Sequence, residues 1–342
     1  RSVYQGIVGF FAFSCVLMMS FHVRAEEKVY TLKYSNFFPP AHGMSMVTEE
    51  WCKEVEKRTD GRVKINYLPG STLAPANQAY EGAVRGITDI SMVSQQYNAG
   101  RFPLTEVIYL PLGIKSAYQS TRMIDAWFKK FNPKEYDDTK ILFLFASGPN
   151  QFSTIKPIAS IKDLEGLKIR CAGESAKIVN AMGAVPVSIP LADSYEGLQR
   201  GVITGSLLAL ESLKGWRFGD FVRGVQVNDG LGFAAALAVV MNKKSWESLP
   251  PDVQKIIEGI NEEWREKTSL TFDRLDKEGV EYGVSKGAQV FKISPEETAL
   301  TVEKMKPLLD DYVKNMAKLG LPGEESLKFC MDWLKQNPNP NP

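Results

Sequence analysis

The first half of the chain alternates short β-rich runs with amphipathic stretches. Residues 29–35 (VYTLKYS) and 63–68 (VKINYL) are rich in β-branched and aromatic residues, as strands are. Between them, Val47, Trp51 and Val55 recur at helical spacing. Similar strand and helix pairs continue to the apolar run KILFLFAS. This order predicts β-α-β units and a mostly parallel sheet covered by helices on both faces.

A second alternating series begins near Ile158. Its strands are LKIRC, VPVSIP and ITGSLLAL, and the helical segments between them end at Gly183 and Gly201. Residues 250–287 then keep helical character for more than 30 residues. A helix of that size is about 45 Å long, which is enough to brace two domains. The 342 residues also exceed a single core of about 100–200 residues, so we expect two α/β domains.

The N-terminal apolar run GIVGFFAFSCVLMMSF predicts an export signal. Val23 and Ala25 are small residues before a potential cleavage site at Glu26. We therefore expect residues 1–25 to be removed and the product to lie in the periplasm. An uncleaved membrane anchor is the alternative, although the run is shorter than the ~20 residues of a spanning helix.

Composition argues against several classes of function. The formal net charge of +1 gives no field that would attract nucleic acid or an anionic membrane surface. Beyond the signal, Cys52, Cys171 and Cys330 fit neither a disulfide framework nor a metal-ligand pattern. His42 is the only histidine there, which excludes a zinc site built from several imidazoles. We expect no metal and no cofactor.

Common enzyme motifs are missing from the sequence. It contains no GxSxG, HExxH or GxxxxGK[ST], and no GxGxxG follows the early strands. Two α/β domains without a catalytic signature indicate binding rather than turnover, so we predict that the protein is not an enzyme.

Four segments carry a resemblance to a known family. They are KEVEKRTDGRVKINYLPGSTL (53–73), GAVRGITDIS (82–91), KPIASIKDLEGLKIR (156–170) and AMGAVPVSIPLADSYEGLQRGVITG (181–205). Through them the chain resembles the solute-binding proteins of tripartite ATP-independent periplasmic (TRAP) transporters, the DctP-like family. The resemblance implies two lobes joined by crossing strands and a long bracing helix. It also implies that an organic acid is captured between the lobes and delivered to membrane permease subunits.

The resemblance places the lobes along the sequence. Lobe I is expected over 26–150, completed by part of 240–290. Lobe II is expected over 151–239, completed by part of the C-terminal helices. The bracing helix is expected over 250–287, and the QNPNPNP tail predicts disorder over 335–342 because of its Pro- and Asn-rich composition.

The resemblance gives Arg170 a role, because it stands where the family's arginine ends the LKIR strand and binds the ligand carboxylate. A planar guanidinium can donate two parallel hydrogen bonds to a carboxylate and so fix its orientation. The alternative is a structural ion pair with a protein acid such as Glu174 or Glu211.

Two positions depart from the family pattern. Some relatives that bind sialic acid or dicarboxylates carry a second arginine twenty residues before Arg170, where this chain has Asn150. The family's frequent DGxxNP reads here as TGSLLA, so Leu208 replaces the asparagine that often contacts ligand. Both changes imply a single carboxylate clamp in a less polar pocket.

Aromatic residues follow strand ends at places where the resemblance implies ligand contacts. Phe37, Phe38 and His42 follow the first strand, and Tyr97 and Trp216 occupy two later loops. Core packing is the alternative for each aromatic residue, and helix capping is the alternative for His42. The expected ligand contacts are Arg170, Asn150, Phe38, His42, Tyr97, Leu208 and Trp216.

Together these features predict an extracytoplasmic solute-binding protein for an organic monocarboxylate with an apolar or aromatic body. It is expected to be a monomer that works with TRAP membrane permease subunits. A C4-dicarboxylate or a sugar acid is an alternative ligand, because waters can replace side-chain partners. A ligand-sensing protein and an extracytoplasmic enzyme are alternatives of other classes.

Overall fold

The computed structural model describes residues 28–339 and residue 341, so the predicted signal segment lies outside the described residues. The strands are β1 (Tyr30–Ser35), β2 (Val63–Leu68), β3 (Ile90–Ser94), β4 (Thr139–Ala146), β5 (Gln151–Thr154), β6 (Lys168–Cys171), β7 (Val185–Ser188), β8 (Gly205–Leu208), β9 (Gly224–Val227), β10 (Ala236–Asn242) and β11 (Gln289–Lys292). The helices are α1 (Gly43–Arg58), α2 (Ala79–Val84), α3 (Ala117–Phe131), α4 (Ser175–Ala181), α5 (Ser194–Gln199), α6 (Ser212–Gly215), α7 (Lys243–Glu247), α8 (Pro251–Ser285), α9 (Pro295–Lys318) and α10 (Gly323–Gln336).

The strands form two sheets, which define two lobes as the resemblance implied. Lobe I holds a five-stranded sheet with the order β2-β1-β3-β10-β4. Lobe II holds a six-stranded sheet with the order β11-β9-β5-β8-β6-β7. Each lobe also takes in one strand from a later part of the chain: β10 joins lobe I after the lobe II strands β5–β9, and β11 joins lobe II after α8.

Both sheets are mostly parallel, as predicted, but each contains one antiparallel strand that the sequence analysis did not anticipate. β10 lies antiparallel to β3 and β4, and β5 lies antiparallel to β8 and β9. The cause is the path of the chain, which passes directly from β4 into β5 and from β9 into β10. A strand that enters a sheet from the other lobe runs against the parallel strands that are already there.

α8 contacts both lobes along its length. It packs on α1, α3 and β4 of lobe I and on α6 of lobe II. Trp51 of α1 donates its indole N–H to Asn261 of α8 over 3.0 Å. Trp264 of α8 donates in return to the backbone carbonyl of Val47 over 2.9 Å. The long helical stretch in the sequence is therefore a bracing helix between the lobes.

Two predicted boundaries differ from the observed elements. β10 begins at Ala236, so the last residues of the range 151–239 belong to the sheet of lobe I. α10 continues to Gln336, so the first two residues of the predicted tail, 335–342, are helical. Residues 340 and 342 of that tail lie outside the described residues.

A close contact between α8 and lobe II depends on a glycine. A Cβ added at Gly279 would lie 2.1 Å from the backbone oxygen of Leu210. This distance is far below van der Waals contact, and a backbone atom cannot rotate away. Gly259 of the same helix has nothing within 4 Å of its Cβ position, so a side chain there meets no obstacle.

We predict opposite effects of alanine at these two glycines. Gly279→Ala should lower the free energy of unfolding by about 1–3 kcal/mol, because α8 must move away from lobe II. Gly259→Ala should raise it by about 0.5–1 kcal/mol through helix propensity alone. Urea unfolding followed by circular dichroism measures both. Equal stability of the two variants would contradict the close packing of α8 on lobe II.

Candidate functional site

Arg170 lies on β6 with its side chain fully buried. Its Nε donates to the backbone oxygen of Ile189, and its Nη2 donates to the hydroxyl of Tyr97, each over 3.3 Å. Its Nη1 has no hydrogen-bond partner, and no acid among the described residues forms an ion pair with Arg170. The predicted alternative, a pair with Glu174 or Glu211, is therefore absent within the described residues. A buried cation without a counterion is costly, so a negative group is missing here.

Tyr97 brings lobe I into contact with Arg170 of lobe II. Besides its hydroxyl contact, its ring centroid lies 6.0 Å from the guanidinium carbon, which allows a cation–π interaction. Gly173, two residues after β6, has a φ of +53° and would carry a Cβ only 2.8 Å from the backbone oxygen of Gln96. The small residues that follow Arg170 thus allow the two lobes to approach each other at this point.

A cleft lies between the lobes beyond the carboxyl ends of β1, β3 and β8. The space between its walls is about 400 Å³ when the part open to solvent is included. We call it the central cleft. Its wall includes Phe37, Phe38, Tyr97, Asn150, Leu208, Glu211 and Phe272. Four of the seven residues predicted to contact ligand share this wall, and Arg170 stands behind Tyr97.

Most of the cleft wall is apolar, with a few polar groups. Phe37 and Phe38 stack with ring centroids 4.4 Å apart, and Phe38 meets Phe272 at 6.4 Å. The hydroxyl oxygen of Ser94 is buried on the same wall and has no hydrogen-bond partner within residues 28–339. An apolar cleft with a few polar groups is typical of a site for a small organic ligand.

His42 and Trp216 line a neighbouring cavity rather than the central cleft. We call it the outer cavity, and its wall includes His42, Tyr195, Glu211, Lys214, Trp216 and Leu275. The rings of His42 and Trp216 lie 4.7 Å and 6.1 Å from the ring of Phe38. Through these contacts, His42 and Trp216 pack against Phe38 from the side of the outer cavity. Glu211 lines both the central cleft and the outer cavity.

Both ring nitrogens of His42 are engaged by the protein. Nδ1 accepts from the backbone N–H of Met44 over 3.1 Å, which makes His42 the N-cap of α1, as the capping alternative predicted. Nε2 therefore carries the proton, and it donates to Glu211 over 2.7 Å. A hydrogen bond from His42 to a ligand would require one of these two bonds to break.

Two acidic residues of this site, Glu211 and Asp276, were not identified as part of it from the sequence. Glu211 bonds with His42 across the lobes, although 169 residues separate the two in sequence. Asp276 of α8 accepts from the backbone N–H of Glu211 over 2.7 Å. Burial, and then the charge of Glu211, hold the pKa of Asp276 well above its usual range. The sequence did offer one signal for Asp276, because an acidic residue on the buried face of a helix such as α8 is unusual.

Other kinds of site are absent from the part of the chain that the structure describes. Cys52, Cys171 and Cys330 are buried and free of disulfides. No group of three or more metal-ligating side chains comes together among residues 28–339. Within the same residues, no helix is both long and apolar enough to cross a membrane.

Comparison with known proteins identifies relatives along most of the chain. The model of DctP, bacterial extracellular solute-binding protein family 7, matches residues 34–315. The C4-dicarboxylate-binding periplasmic protein DctP of Vibrio cholerae is 22% identical over 273 residues, which are 77% of this chain and 80% of that protein.

Solved structures show the same fold. A TRAP periplasmic solute-binding protein from Desulfovibrio salexigens is 33% identical with a TM-score of 0.79, covering 90% of this chain and 96% of its own. One from Rhodoferax ferrireducens, in complex with copurified benzoate, is 27% identical with a TM-score of 0.85, covering 90% and 98%. The chain therefore belongs to the DctP family of extracellular solute-binding proteins, the binding proteins of TRAP transporters.

Proposed function

We propose that this protein binds an organic monocarboxylate with an apolar or aromatic body and delivers it to TRAP permease subunits. The central cleft is the binding site, and the periplasm is the place of action after cleavage of the signal near Ala25. The observation that carries the proposal is the fully buried guanidinium of Arg170, whose Nη1 lacks a hydrogen-bond partner among the described residues. A ligand carboxylate would supply the missing charge and the missing acceptor.

Tyr97 would share the carboxylate with Arg170. Its hydroxyl already accepts from Nη2 of Arg170, so its own proton is free to be donated toward the cleft. Because Tyr97 belongs to lobe I and Arg170 to lobe II, a carboxylate held by both would link the lobes. Closure of the lobes over the ligand would then exclude water from the site.

The cleft wall favours an apolar ligand body. Phe38, Leu208 and Phe272 offer apolar surface, and burial against them is worth ~25 cal/mol per Å² removed from water. The benzoate bound by the Rhodoferax protein supports an aromatic acid for this chain. His42 and Trp216 contribute indirectly, by holding Phe38 from the outer cavity.

A second carboxylate on the ligand would meet no cationic side chain among the described residues that line the central cleft. Asn150 is neutral, and Leu208 is apolar. A second charge would lose its hydration without gaining a charged partner. C4-dicarboxylates and sugar acids are therefore the weaker candidates, although the Vibrio relative is named for C4-dicarboxylates.

We predict that Arg170→Ala weakens binding of the tightest-binding aromatic monocarboxylate by about 2–5 kcal/mol, as for other truncated buried charge pairs. Arg170→Lys should restore only part of this, since an ammonium cannot form the bidentate contact. Arg200→Ala is the matched control, because Arg200 is exposed and paired with Glu196. Isothermal titration calorimetry measures all four proteins. Affinity of Arg170→Ala within threefold of wild type would refute the role of Arg170.

We also predict the order of ligands and its dependence on Leu208. Benzoate and branched monocarboxylates should outcompete succinate and malate, because only the former match the apolar wall. Leu208→Asn should narrow this gap, whereas Leu208→Met should preserve it, since methionine keeps the volume and the apolar character. Competition binding against a labelled aromatic acid gives the ranking. A C4-dicarboxylate that ranked tightest in wild type would contradict the monocarboxylate assignment.

A further inference from the structure

We infer that Glu211 is a second recognition group of the central cleft, and that it selects monocarboxylates with a hydroxyl or ammonium group distant from the carboxylate. The inference rests on the proposed function, because Arg170 must hold the carboxylate end. It adds a requirement that the apolar wall does not impose, namely a hydrogen-bond donor at the other end of the ligand.

A series of ring contacts connects Arg170 with Glu211. The ring of Tyr97 lies 6.0 Å from the guanidinium carbon of Arg170 and 6.1 Å from the ring of Phe37. Phe37 stacks on Phe38 at 4.4 Å, and Phe38 meets His42 at 4.7 Å. The order of the series is Arg170, Tyr97, Phe37, Phe38, His42 and Glu211. The two charged side chains are thus connected through four rings of the site and form no ion pair with each other.

The carboxylate of Glu211 has acceptor capacity left over. Glu211 is only 7% exposed, and its Oε2 accepts from Nε2 of His42. Its Oε1 has no hydrogen-bond partner among the described residues. His42 is a neutral donor in this arrangement, because its Nδ1 accepts from the N–H of Met44. Lys214, the nearest lysine in sequence, pairs with Glu278 instead.

Among the described residues, no lysine or arginine forms an ion pair with Glu211, and its Oε1 is not closed off from solvent. A buried carboxylate normally accepts several hydrogen bonds, and one neutral donor is fewer than its oxygens can take. A ligand hydroxyl or ammonium group would supply another donor. A ligand carboxylate would instead meet a like charge, so Glu211 would also disfavour dicarboxylates.

The test compares ligands that differ only in the donor. Benzoate, its 3-hydroxy and 4-hydroxy derivatives and 3-(aminomethyl)benzoate are titrated calorimetrically into wild type, Glu211→Leu, Glu211→Gln and Glu196→Gln. At least one donor-bearing acid should bind wild type about tenfold more tightly than benzoate, as for hydrogen bonds to charged groups. Glu211→Leu should remove this preference. Glu196→Gln is the control and should keep it, because Glu196 is exposed and lines neither the central cleft nor the outer cavity.

The preference is a ratio of two affinities in one protein, so a general loosening of the fold does not change it. If Glu211→Leu fails to fold, Glu211→Gln decides, since glutamine keeps an acceptor but loses the charge. It should then lose the preference for the ammonium ligand and keep that for the hydroxyl.

Benzoate binding tightest to wild type, or an unchanged preference in Glu211→Leu, would overturn the role of Glu211 and leave the proposed function intact. An unchanged ammonium preference in Glu211→Gln would overturn it equally. If wild type bound succinate but none of the four aromatic acids, the proposed function and the role of Glu211 would both fall.

Discussion

The arrangement of the cleft depends on one unsatisfied charge, the guanidinium of Arg170. Removing an arginine from water costs several kcal/mol unless a counterion and hydrogen bonds replace the hydration. The protein replaces only part of it, through the hydroxyl of Tyr97 and the carbonyl of Ile189. The remaining Nη1 is buried and has no hydrogen-bond partner in the part of the chain that the structure describes. A ligand carboxylate that accepts a hydrogen bond from Nη1 would recover the free energy that this unpaired group costs.

The fold makes this recognition depend on both lobes. Arg170 comes from β6 of lobe II, whereas Tyr97 follows β3 of lobe I. Their contact exists only when the lobes lie close together, which Gly173 permits by its approach to Gln96. A ligand that binds between them stabilises the closed arrangement selectively, and such a differential affinity is what drives a conformational change. The crossing strands and α8 limit how the lobes can move.

Local sequence patterns predicted the elements better than they predicted how distant elements meet. The alternation of strands and helices, the bracing helix and the position of Arg170 on a buried strand all follow from periodicity or from the family motifs. The antiparallel direction of β5 and β10 does not, because it depends on where the chain crosses between the lobes. The pairing of His42 with Glu211 joins residues 169 positions apart, and no local pattern encodes it. For the same reason the sequence could not show that His42 and Trp216 line the outer cavity.

The most direct test of this account is a crystal structure of the protein with the organic acid that it copurifies with. We expect a carboxylate oxygen within hydrogen-bond distance of Nη1 of Arg170. The apolar body of the ligand should lie against Phe38 and Leu208 in the central cleft. A ligand bound in the outer cavity, or one whose carboxylate avoids Arg170 in the central cleft, would contradict the central claim.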